Sequence, residues 1–170
     1  MSGSGVVSAD PAAADLASAW RLAIREPRVE AAIRAIHDRV AGEVASRRPL
    51  CLASGNCCRF EAFGHRLMVV GLEAAWTASQ AEVPRLSLPQ IEHARREGRC
   101  PFLDAREGRL CGIRTARPMP CRTFFCDRAA TAWQQELHES CLAELKALHD
   151  RFGVPYRYLE WRDALAILAA

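Results

Sequence analysis

The 170-residue chain predicts a mainly α fold of the α+β kind, in which helices pack around an irregular cysteine-rich core with one short β element. Three observations predict it. Apolar residues recur at helical spacing on both sides of the middle of the chain: Val29, Ile33, Ile36, Val40 and Val44 before it, and Trp133, Leu137, Cys141, Leu145, Leu148 and Phe152 after it. Seven of the eight cysteines lie between these stripes, four of them in a Gly-, Pro- and Arg-rich stretch at 100–126 that looks like loop. No internal repeat, low-complexity tract or linker interrupts the pattern, so a single unit is expected over 11–170 behind a flexible tail at 1–10.

Asp10 and Pro11 read as cap and first residue of a helix carrying Leu16, Trp20 and Ile24 as far as Pro27. A second helix starts near Pro27 and ends at the Arg47-Arg48-Pro49 break. These two are expected to pair over the cysteine region. His65 to Val70 suits a short strand, and Leu72 to Gln80 a helix that stops before Pro84. Ser87 with Gln90 three residues on predicts a capping box and a helix through Ile91 and Ala94 to Gly98. Glu107-Gly108, between two short apolar stretches, predicts a tight hairpin that brings Cys100 and Cys111 together. The long helix after it is stopped by Gly153 and Pro155, and a last helix follows from about Tyr156. In Glu160-Trp161-Arg162 the tryptophan buries a large area while its charged neighbours pair with the cysteine region, which predicts a docking element.

At this length a real hydrophobic core is expected, so the cysteines are not needed to staple a fold too small to hold itself together. The N-terminus lacks a basic start, apolar core and cleavage site, and no apolar run approaches the roughly 18 residues of a membrane span. A cytoplasmic location is expected, where thiols stay reduced and clustered cysteines bind metal or do redox chemistry more often than they form bridges. The formal charge is +3, and residues 50–128 hold 12 arginines against 8 acids. That excess is modest and no groove-reading motif accompanies it, which argues against nucleic acid as a partner.

The ligand candidates are Cys51, Cys57, Cys58, Cys100, Cys111, Cys121 and Cys126. Paired Cys-x-x-Cys knuckles of the zinc-ribbon kind are absent. Cys57 and Cys58 are adjacent, and in extended backbone their side chains would point apart toward different ions or different corners of a cluster. Zinc or iron, with a 4Fe–4S cluster as one form of the latter, suits several thiolates. Cys141 lies on the regular apolar stripe and reads as core.

The cysteine pattern resembles the YkgJ-type family, the zinc- or iron-chelating CxxCxxCC domain, whose members show CxxCGxCC early and CPFL, C-x-I, RP-x-x-CR and F-x-C later. Cys51, Gly55, Cys57 and Cys58 match the first block. Cys100-Pro101-Phe102-Leu103, Cys111, Ile113, Arg117-Pro118, Cys121-Arg122, Phe124 and Cys126 match the second, so the resemblance covers about 51–127. Ser54 stands where the family has its second cysteine, and either the site has one thiolate fewer or Ser54, His65, Cys141 or a water takes that place. The resemblance implies chelation of a metal ion at a structural or metal-handling site. A similar cluster in the flagellin lysine methylases keeps an alternative open, a metalloenzyme or redox protein with a protein partner.

Arg117 and Arg122 flank Cys121 and are candidates to hold the bound group, by hydrogen bonds to thiolate or to loop carbonyls. His65 is a candidate ligand or a donor to one, while His37, His93, His138 and His149 read as surface or edge residues of helices.

Overall fold

The computed structural model describes residues 11–104 and 111–170. Those residues form seven α-helices and a two-stranded sheet: α1 Pro11–Ala23, α2 Pro27–Arg47, β1 Met68–Val70, α3 Gly71–Ser79, α4 Leu88–Arg96, α5 Met119–Thr123, α6 Thr131–Phe152, β2 Tyr158–Glu160 and α7 Trp161–Ala169. The mainly α reading with a short β element holds. The 1–10 tail, the Asp10 cap and the Glu107-Gly108 hairpin lie outside the described residues.

Local chemistry sets most helix boundaries. Glu26 accepts the Arg28 amide ahead of α2, Pro27 supplies the pre-set first turn, and Arg48 closes the helix in a left-handed conformation. Gln90 returns its side chain to the Ser87 amide at 2.8 Å, so the expected capping box opens α4. Gly153, at φ 62°, ends α6. The C-terminal end departs from expectation, since residues 158–160 form β2 before α7 begins. β2 runs antiparallel to β1 with Met68 opposite Glu160 and Val70 opposite Tyr158, and Trp161 donates its amide to Leu67 O at 2.8 Å. A three-residue strand is too short to show alternation, and only its remote partner defines it.

Helix α3 is the hub. Every residue from Gly71 to Thr77 is buried, because α1, α7 and α6 all pack on it. Ala74 and Ala75 belong to a core built with Trp20, Ile91, Trp161 and Leu165, and Leu72 and Trp76 to a second core with Ile33, Val40, Met119 and Leu145. Each fully buried large side chain stabilises the fold by roughly 1.5–3 kcal/mol. The expected α1–α2 pair is not the main contact: α1 packs chiefly on α3 and α7, and α2 on α5 and α6. Among the described residues no helix is long and apolar enough to cross a membrane.

The histidines correct the sequence reading. His37 and His149 are buried, with exposures of 5 % and 1 %. Their partners are Glu73 for the first, and the Leu72 amide with the Val154 and Pro155 carbonyls for the second. All lie too far along the chain, or too much in the backbone, for helical periodicity to reveal them.

Candidate metal centre

The first cysteine block turns tightly. Gly55 at φ 73° opens a 3-10 turn over Asn56–Cys58, closed by the Cys58 amide on Gly55 O at 3.0 Å. Because Cys57 and Cys58 sit in this turn, the outward alternation expected of extended backbone does not apply. The Cys57 and Cys58 thiols lie close enough to bear on each other's ionisation, and the Cys100 thiol bears on that of Cys58. The backbone reinforces the second link, since the Cys100 amide donates to Cys58 O at 2.7 Å. Gly112 donates to Phe102 O at 2.9 Å, which returns the chain at Cys111 to the Cys100–Phe102 turn, within reach of Cys58.

Cys121 enters from α5, whose first turn is fixed by the Cys121 amide on Pro118 O at 3.0 Å. It lies close enough to Cys57, Cys58 and Cys111 for their charges to bear on its ionisation. Five of the seven candidate sulfurs, from three separate segments, therefore gather in one place. The other two, Cys51 and Cys126, are exposed, and their segments adjoin each other: the Leu50 amide donates to the Asp127 carboxylate at 3.2 Å. Gln134 holds that edge by accepting the Phe125 amide at 2.6 Å and donating to Asp127 O at 3.4 Å. Sequence reasoning missed Gln134, whose polar side chain interrupts no apolar stripe.

The electrostatics are those of a thiol cluster. The adjacent Cys58 thiol pushes the Cys57 thiol far above its ordinary value, the Cys100 thiol pushes Cys58 up to about 12, and burial raises Cys121. Arg117 opposes the shift at both Cys57 and Cys121. Arg117 donates to Arg114 O at 3.1 Å, and Arg122 to Arg117 O at 2.6 Å and to Thr115 O. Both guanidinium groups thus bind loop carbonyls, one of the two uses expected of them. Among the described residues no group of three or more His, Cys, Asp or Glu side chains is arranged so that it could hold a metal ion as it stands. The donor chemistry fits nevertheless: several soft sulfurs, with cationic groups nearby, suit zinc or iron once their protons are displaced.

The neighbours of the cluster are now placed. His65 Nε2 lies 3.2 Å from Cys57 O, and its ring packs edge-on against Phe60 and parallel to Phe124. Ser54 Oγ accepts the Asn56 amide at 3.4 Å. Cys141 is wholly buried on α6, in the core as expected, with the Arg39 guanidinium 3.2 Å from its sulfur. The 160–162 docking element is real. Arg162 pairs with Glu160 and Glu61 and covers the Phe60 ring at 5.1 Å, while Trp161 packs on Phe102 at 6.0 Å. One end of α7 thereby clasps both cysteine blocks. Beside the cluster a cavity of about 510 Å³ is lined by Cys57, Cys121, His65, His138, Phe124 and Tyr158 among others. A larger cavity, about 990 Å³ between α1, α3 and α7, has no cysteine in its lining.

Residues 50–142, more than half of the chain, match the model of the CxxCxxCC family, described as "Putative zinc- or iron-chelating domain". No curated protein and no solved structure matches the chain.

Proposed function

The chain belongs to the CxxCxxCC family of zinc- or iron-chelating domains, and we propose that it binds its metal through the five gathered sulfurs of Cys57, Cys58, Cys100, Cys111 and Cys121. The observation that carries this reading is the joining of three segments at one thiol cluster, with the Cys100 amide on Cys58 O and the thiols of Cys57, Cys100 and Cys111 close enough to affect the ionisation of Cys58. Cys51 and Cys126 form an outer pair that serves a second ion or closes the first site. Arg117 and Arg122 hold the loop around Cys121 and offset the charge of bound thiolates. The site is structural or metal-handling, within one unit over 11–170 whose metal-binding core is about 51–127. The packing of α7 on both cysteine blocks supports that unit.

Elemental analysis and an ultraviolet–visible spectrum of protein purified without oxygen test the reading. Zinc at integer stoichiometry without visible absorption is the expected result. Cys58→Ser and Cys100→Ser are expected to lose metal while Cys141→Ser keeps it, and full loading of a folded Cys58→Ser/Cys100→Ser double variant would overturn the assignment.

One observation favours a second reading, a metalloenzyme or redox protein with a 4Fe–4S cluster, acting on another protein. Two of the candidate sulfurs, Cys57 and Cys121, line the 510 Å³ cavity, so a group held there would face a concave surface open to a substrate. Iron with acid-labile sulfide and a brown chromophore would select this reading, and colourless zinc protein would remove it.

A further inference from the structure

Glu73 is wholly buried in α3, with no exposure at all. Its Oε1 accepts from His37 Nε2 of α2 at 2.9 Å and from the Met119 amide through a short hydrogen bond. Met119 is the first residue of α5, the helix that carries Cys121. Packing alone does not call for a carboxylate at this place. Burying one costs free energy unless charge or hydrogen bonds compensate it, and an apolar side chain of similar size would fill the space without that cost. Among the described residues Glu73 Oε2 and His37 Nδ1 find no hydrogen-bond partner, so the pair is not a saturated structural network.

A helix of five residues cannot hold itself together, because its first amides lack internal acceptors and nucleation is unfavourable. The place of α5 is therefore set from outside. At its far end, Thr123 Oγ1 lies 3.3 Å from His138 Nδ1 of α6 and 3.3 Å from Met119 O. At its near end the Met119 amide donates to Glu73, the only side-chain acceptor it has among the described residues. We infer that Glu73, oriented by His37, is a positioning residue that holds α5 and so aims Cys121 into the thiol cluster. The inference rests on the proposed metal site for its purpose, though not for its geometry.

The test uses the full chain, reduced and metal-free, with site-resolved mass spectrometry following iodoacetamide alkylation of each cysteine. Glu73→Ala is expected to speed alkylation of Cys121 by about tenfold, while Cys141 and Cys126 stay within about twofold and the helical circular dichroism is kept. Glu73→Gln keeps an oxygen for the Met119 amide and is expected to restore the slow rate. A folded Glu73→Ala whose Cys121 reacts at the wild-type rate overturns the inference, as does a Glu73→Gln that exposes Cys121 as fully as Glu73→Ala does. If Glu73→Ala does not fold, hydrogen exchange of the wild-type Met119 amide decides. Strong protection upholds the role, and exchange at the rate of exposed amides overturns it. Zinc titration of the wild type separates the two readings. No uptake, with Cys121 still shielded by Glu73, would sink the metal site and leave the positioning role standing. Uptake with Cys121 equally reactive in Glu73→Ala would do the reverse.

Discussion

His149 shows how much one buried side chain can fix. Its Nε2 faces the Leu72 amide at 3.3 Å and must accept that proton, so the ring is neutral, with Nδ1–H donating toward Val154 O and Pro155 O at 3.3 and 3.1 Å. Pro155 O also takes the Trp20 indole N–H at 2.8 Å, which ties α1, α3 and the end of α6 to one carbonyl. Burial lowers the His149 pKa, and that of His138 in the same direction. A base with a lowered folded-state value is protonated more readily when unfolded. Its contribution to stability is therefore complete above the unfolded value near 6.5 and is lost as pH falls below it. Metal-free reduced protein is expected to lose stability as pH falls from 7.5 to 5.5, read as a lower urea midpoint. Nitrogen-15 spectra should show His149 Nε2 unprotonated at pH 7. A protonated Nε2, or a midpoint constant across this range, would contradict the assignment. None of this was legible in the sequence, where His149 sits among the polar residues of a helix and its acceptors are backbone atoms. Cys141 was legible, because its place on the apolar stripe needs no distant partner.

Among the elements, those whose signal is local were readable and those defined by a remote partner were not. The stripe of α2 and the Ser87–Gln90 box announce themselves within a few residues, whereas β2 exists only against β1, and α5 only between Glu73 and His138. The junction of β1 and α3 carries a constraint of its own. A Cβ built on Gly71 would fall inside the Trp20 indole, so α1 can cross α3 at this distance only because residue 71 has no side chain. The indole cannot yield easily, since it is wholly buried and held by Pro155 O. Gly71→Ala is expected to destabilise the protein by about 1–3 kcal/mol through overpacking, measured by urea denaturation. Gly42→Ala, in α2 with open space around it, is expected to be neutral or slightly stabilising and serves as the control. A Gly71→Ala variant as stable as wild type would mean that the α1–α3 contact is looser than described.

Over the whole molecule, the candidate site is a knot between parts of the chain that lie far apart. Cys58 meets Cys100 and Cys121, which follow it 42 and 63 residues later, and the start of α7 closes the assembly by clasping Phe60 and Phe102. That the cysteines belong together was legible from their density. Which of them meet was not, because the grouping into an inner five and an outer pair depends on the backbone contact of Cys100 with Cys58 and on the Leu50 amide meeting the Asp127 carboxylate. A metal bound by the inner five would act as a cross-link over long loops, restricting the unfolded chain much as a disulfide does, by roughly 4 kcal/mol for loops of this length. In a chain of this size such a term corresponds to about 10 °C in melting temperature. Removing metal by chelation under reducing conditions is therefore expected to lower the melting temperature by about that amount, and restoring zinc to recover it. The loss should be concentrated in the cysteine region. Amides around Cys58, Cys100 and Cys121 should gain exchange on metal removal, while those of α2 and α6, which pack in their own apolar core, should change little. Melting unchanged by complete metal removal would show that the apolar cores and the α7 clasp hold the thiols in place unaided, and that the metal adds chemistry rather than stability.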